Sequence, residues 1–182
     1  MYFYDLKGTV MRHVISVILQ NEVGALTRMT GLFSTRGYNI ESLNVAPTDD
    51  VNLSRVTLVI TGSDEAIAQL NSQLSKLVDV VSINDMTLGA HFERELLIIK
   101  IKPNKDPKEE IFLVIEEYKA EILDNSINSF TIQLTGAREI IDNFVDKVTV
   151  LGDVQALARS GSVAVTKGEI ILSSYANQNL SS

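Results

Sequence analysis

The chain has 182 residues, 45% of them hydrophobic and 21% charged, enough for one large or two small soluble domains. A formal net charge of −7 weighs against non-specific nucleic-acid binding, which needs clustered Lys and Arg on phosphates. The absence of cysteine excludes disulfides, thiolate catalysis and Cys-ligated metal sites.

MYFYDLKGTV at the start lacks the basic-then-apolar order of a secretory signal. No apolar run approaches the roughly 18–20 residues of a membrane span, so a cytoplasmic protein is expected. Val14, Ile15, Val17, Ile18 and Leu19 form a buried β-run that ends at Gln20, Asn21 and Glu22. Ala25, Leu26, Met29, Leu32 and Phe33 follow a helical stripe, with Gly37 as its C-cap. Residues 38–46 read as a strand, with a turn-rich exit at 47–50. Val56, Leu58 and Ile60 alternate with polar neighbours, as a half-buried strand requires. Gly62, Ser63 and Asp64 supply a stop and a helix N-cap. Ile67, Leu70, Leu74 and Leu77 make the next helical stripe, and Val80, Val81 and Ile83 the next strand.

The same order begins again at Glu95. Residues 96–101 are strand-like, 103–107 a breaker-rich link, and Ile111, Phe112, Ile115 and Tyr118 trace a helix. Two strands at 121–123 and 130–134 flank a polar turn. Ile140, Ile141, Phe144, Val145 and Val148 mark a second helix, followed by strands near 154–158 and 163–165. The pattern is βαββαβ twice, an α+β class of two ferredoxin-like domains in tandem. The expected divisions are an N-terminal extension at 1–10, a first domain at 11–87, a second at 92–172, and a disordered Ser/Asn/Gln-rich tail at 173–182. Sheets of this kind expose a face or an edge strand, which predicts oligomerisation.

Chemistry is sparse. His13 and His91 lie in different halves without a metal-binding or base-orienting neighbourhood. The acid pairs Asp49-Asp50, Glu109-Glu110 and Glu116-Glu117 read as solvated charge. Phosphate-loop, dinucleotide and nucleophile-elbow motifs are absent. Gly152-Asp153 lacks the third glycine and the downstream Asn pair of a thiamine-diphosphate motif, and reads as a turn. No catalytic or metal-ligating residue is assigned.

One segment stands apart, NEVGAL at 21–26. Read structurally, it is a tight strand-to-helix connection in which Gly24 supplies backbone freedom. Read functionally, the first free helix amides, near Gly24, Ala25 and Leu26, face outward as an anion site. A carboxylate there would accept charge-assisted hydrogen bonds of roughly 1.5–3 kcal/mol each. The segment holds no cation and is too short to cradle a diphosphate, so a small carboxylate suits it better than a nucleotide. These residues alone leave both readings open.

Residues 11–50, with RGYNIESL at 36–43, LSRVT at 53–57, KLVDV at 76–80, HFEREL at 91–96 and ARSG at 158–161, resemble the small regulatory subunits of acetohydroxyacid (acetolactate) synthase over about residues 11–172. The resemblance implies that the first domain is an ACT domain and pairs with a second copy. It implies a valine site at that dimer interface, with Asn21, Val23, Gly24, Ala25 and Leu26 from one chain and Asn39 and Ile40 from the other. Leucine and isoleucine are expected to bind more weakly, since one methylene discriminates by only about 1–3 kcal/mol. It further implies a large catalytic subunit carrying thiamine diphosphate, magnesium and FAD. This chain, carrying no cofactor itself, would activate that subunit and confer feedback inhibition in branched-chain amino-acid biosynthesis.

The chain departs from the family's pattern at residues 1–10, which precede the usual start, at Val23, a position often polar, and at Lys167-Gly168, where Arg-Gly is frequent. Competing readings are a free-standing amino-acid sensor acting on another partner, an enzyme in its own right, and an assembly scaffold.

Overall fold

A computed structural model of the chain describes residues 10–104, 108–126 and 128–168. Residues 1–9 of the expected extension, 105–107 of the expected link, and 169–182, which include the expected tail, lie outside the described residues. The chain divides into two compact units, one running to Phe92 and resuming at Ala164, the other spanning Glu93 to Val163.

In the first unit the elements are β1 (Met11–Gln20), α1 (Ala25–Arg36), β2 (Ile40–Pro47), β3 (Leu53–Gly62), α2 (Asp64–Leu74) and β4 (Val80–Asp85). The sheet order is β2-β3-β1-β4, and every neighbouring pair is antiparallel. Ile15 pairs with Leu58 and Val17 with Val56, so their side chains share one face. Ala25, Met29 and Phe33 of α1 and Ile67, Leu70 and Leu74 of α2 bury against that face. This three-and-four spacing is the apolar stripe that makes both segments helices. Val14, one residue out of phase, faces the other side and clusters with Val59, Met86 and Ala164.

The ends of these helices follow from local chemistry. Ser63 caps α2 by accepting a hydrogen bond from the Ala66 amide at 3.3 Å. Gly37, in the left-handed region at φ 71°, ends α1, and the Tyr38 amide reaches back to the Phe33 carbonyl at 3.0 Å.

The remaining elements are β5 (His91–Pro103), α3 (Lys108–Tyr118), β6 (Glu121–Ser126), β7 (Ser129–Gly136), α4 (Arg138–Leu151), β8 (Gly152–Arg159) and β9 (Val163–Thr166). Their sheet has the order β6-β7-β5-β8, with β9 also pairing β5. It is the first unit's order repeated, and the α+β tandem arrangement read from the pattern is the one observed. Leu97, Ile99 and Ile101 alternate inward against Ile111, Ile141, Phe144 and Val148. Gly152-Asp153 is not the turn expected of it. Gly152 opens β8 opposite Pro103, and a Cβ there would lie 2.6 Å from the Lys102 carbonyl oxygen. The glycine serves a close backbone approach.

Candidate functional site

The segment 21–26 lies where β1 gives way to α1, and its backbone is tied down on two sides. The Gln20 amide donates to the Asp79 carbonyl at 2.8 Å and the Asn21 amide to the Asn52 carbonyl at 2.7 Å. The Asn21 side chain donates through Nδ2 to the Val51 carbonyl at 2.9 Å, leaving its Oδ1 as the acceptor for any ligand. Gly24 is the N-cap of α1 in the left-handed region, φ 86° and ψ −12°, without a side-chain cap. An L side chain disfavours that conformation.

The free donors differ from those expected in one respect. The Ala25 amide is taken by the Glu22 carbonyl at 3.2 Å, and the Ala25 side chain is buried in the core. The helical amides without an acceptor among the described residues are those of Leu26 and Thr27. Val23 is fully exposed and Leu26 partly so. The first turn of α1 carries no acidic side chain, so its positive end is not neutralised from within the helix.

A cation that the segment itself lacks stands one turn further along. Arg28, four residues after Gly24 and therefore on the same helix face, reaches Asp79 through Nε at 2.6 Å and Nη2 at 2.7 Å. Asp79 is buried while Arg28 is half exposed. These hydrogen bonds raise the Arg28 guanidinium's pKa and hold the Asp79 carboxyl below the usual carboxylate range, against the opposing effect of burial. The partners are 51 positions apart in sequence. An arginine placed i+4 from a helix-start glycine is the signal that points to Arg28. Asp79 has no local signal at all.

Asn39 and Ile40 sit at the far end of α1. Asn39 is exposed, whereas Ile40 packs partly against the first unit's core and pairs with Ile60. Twelve helical residues span about 18 Å. Within one chain, residues 21–26 and 39–40 are therefore not brought together around one small ligand.

The other titratable candidates serve structure. His13 is buried, with Nδ1 3.3 Å from Thr87 Oγ1 and 3.6 Å from Asp85, and Nε2 3.6 Å from Asp64. His91 Nδ1 lies 2.8 Å from the Gly89 carbonyl. The three acid pairs are exposed. Among the described residues no group of three His, Asp or Glu side chains is disposed to hold a metal ion, and no helix is long and apolar enough to cross a membrane.

Two family models cover most of the chain. Residues 15–82 match the one described as an AHAS small subunit-like ACT domain, and residues 94–168 the one described as the small subunit of acetolactate synthase. The chain is 42% identical to the acetolactate synthase isozyme 3 small subunit of Salmonella typhimurium, across 89% of this chain and 99% of that one. It is 41% identical to the Escherichia coli counterpart over the same shares. The crystal structure of the acetolactate synthase small subunit from Thermotoga maritima superposes with a TM-score of 0.79 at 31% identity, covering 88% of this chain and 99% of that one.

Proposed function

Because the chain belongs to the family of acetolactate synthase small subunits and carries that family's ACT domain, we propose that it activates a large catalytic subunit and makes it sensitive to valine. The chain performs no catalysis itself. Thiamine diphosphate, magnesium and FAD belong to the large subunit, and no residue of this chain is assigned to them.

The observation that carries the effector reading is the start of α1. The unpaired amides of Leu26 and Thr27 suit a carboxylate, and the left-handed Gly24 adds no side chain of its own to the helix start. Asn21 Oδ1 is an acceptor for the ligand ammonium. The roughly 18 Å between this helix start and Asn39–Ile40 supports a site completed by a second copy, whose Asn39 and Ile40 supply the remaining polar and apolar contacts. Ala25 shapes the turn rather than contacting the ligand, since its amide is held by the Glu22 carbonyl and its side chain is in the core. Val23, fully exposed, lies at the rim.

The test is a mixing assay with the large subunit, with and without valine. This chain raises acetolactate formation, and valine reverses that rise. Valine also raises the chain's melting temperature, by an amount equivalent to about 2.7 kcal/mol at a hundredfold excess over Kd. A chain that activates the large subunit without any response to valine overturns the effector reading and leaves the subunit reading standing.

A further inference from the structure

We propose that the free edge of β8 pairs antiparallel with β8 of a second copy of this chain, joining two second units through one continuous sheet. β8 stands at the end of the strand order and is bonded to β5. Its other edge therefore has no strand partner among the described residues. The strand is eight residues long, and only its first residue, Gly152, is buried. An edge of that length is ordinarily shielded by charge, by proline or by a covering element. Residues 154–158, Val-Gln-Ala-Leu-Ala, carry neither charge nor proline.

The opposite edge of the same sheet shows the shielding that β8 lacks. β6 is a six-residue strand that carries Glu121 and Asp124, so two copies laid side by side would crowd acids onto one short seam. β8 has its acid, Asp153, and its base, Arg159, outside the uncharged stretch. A two-fold axis centred anywhere on 154–158 sets neither Asp153 nor Arg159 opposite its own copy. Self-pairing thus meets no like-charge penalty here.

The side chains of β8 indicate what kind of strand completes it. Val154 pairs with Ile101 and Leu157 with Ile99, so both point to the helix side of the sheet. Ile99 and Ile101 are fully buried there with Ile111, Phe144 and Val148. Val154 and Leu157 remain 41% and 44% exposed, because the cover given by α3 and α4 stops short of the sheet's edge. A lone peptide strand would satisfy the backbone of β8 and leave these two side chains wet. A second copy, related by a two-fold axis normal to the sheet, brings its own β8 and also its own helices on the same side. That partner matches the edge and the exposed side chains together. The contact uses second-unit residues alone and is independent of the effector reading.

Such an axis places one β8 residue opposite its own copy, whereas a residue two positions away lies about 14 Å from its copy. A disulfide needs Cα atoms about 4.4–6.8 Å apart. The chain has no cysteine, so single-cysteine variants of the full chain read the seam directly. Val154→Cys, Ala156→Cys, Leu157→Cys and Ala158→Cys all lie at exposed positions, and Asp124→Cys on β6 is the reference. Under mild oxidation in dilute solution, one β8 position is expected to form a covalent dimer about tenfold faster than Asp124→Cys, with the rate falling on either side of it. Ala156→Lys or Ala158→Lys, whichever position is not the linking one, is expected to slow that bond by about tenfold by adding like charges to the seam. Equal rates at every β8 position and at Asp124→Cys mean random collision and overturn the proposal. β8 cysteines that do not link, but become shielded from a thiol reagent when the large subunit is added, assign the edge to that subunit and overturn it as well.

Discussion

The two units share one strand order and differ in what they leave unsatisfied. In the first, α1 starts at a left-handed glycine with no acid in its first turn, and the nearby arginine has a nitrogen to spare. In the second, α3 starts with Glu109 and Glu110 and α4 with Glu139, which meet the helix dipole's positive end internally. Arg159 there divides its three nitrogens between Glu95 and Asp142. Its guanidinium is raised by those hydrogen bonds, Glu95 contributing most. The same strand order thus carries one helix start without an acid in its first turn and others with one, a difference set by side chains and not by topology.

The strongest way to break this contrast is to make α1 begin as α3 does. Gly24→Asp places a carboxylate at the start of α1, and its Cβ, 2.8 Å from the present position of Arg28 Nη1, forces the guanidinium to shift. The left-handed backbone adds a strain of roughly 1–2 kcal/mol, at the lower end for Asp. Valine inhibition is expected to disappear while activation of the large subunit persists. Undiminished valine binding by calorimetry sinks the assignment of Gly24 to the site.

A second substitution sharpens the contrast from the other side. Phe144 is fully buried in the second unit's core and meets Tyr118 edge-on at 5.4 Å. Phe144→Ala is expected to cost about 3–5 kcal/mol of stability, read by chemical denaturation. Valine affinity, measured below the unfolding transition, should stay within about twofold of wild type because every residue of the proposed effector site belongs to the first unit. A tenfold loss of affinity would show that the second unit shapes the site.

How far the sequence alone leads to this picture depends on whether a feature is local. The strands, the helical stripes, the Gly37 cap and the Ser63 cap are set by residues within a few positions of one another, and pattern reading finds them. The helix start at 21–26 is local too, which is why it stands out in the sequence. Its details are not. The Glu22 carbonyl captures the Ala25 amide only once the turn is closed. Asn21 spends its Nδ2 on Val51, 30 positions away. Arg28 finds Asp79 only after α2 and the turn behind it have brought the carboxylate back to the end of β1. In the same way 163–165 reads as a strand, but nothing local indicates that Ala164 packs with Val14, Val59 and Met86.

The smallest effect expected is a pH dependence that belongs to the first unit's ion pair. The Arg28 hydrogen bonds depress the Asp79 carboxyl below its ordinary range, whereas an unfolded chain titrates near about 3.9. The folded state therefore binds this proton less readily than the unfolded one. The pair's contribution to stability is complete above the unfolded value and is lost as pH falls through the lower folded value. Asp79→Asn keeps the shape and removes the charge, so it lacks that contribution at every pH. The gap in melting temperature between wild type and Asp79→Asn should be open at pH 7 and narrow steadily below about pH 4, as the wild-type carboxyl takes up its proton. A gap that stays constant down to the acid unfolding limit would mean that Asp79 acts through packing and not through charge. The fork would then lack the electrostatic anchor that holds Arg28 toward Gly24.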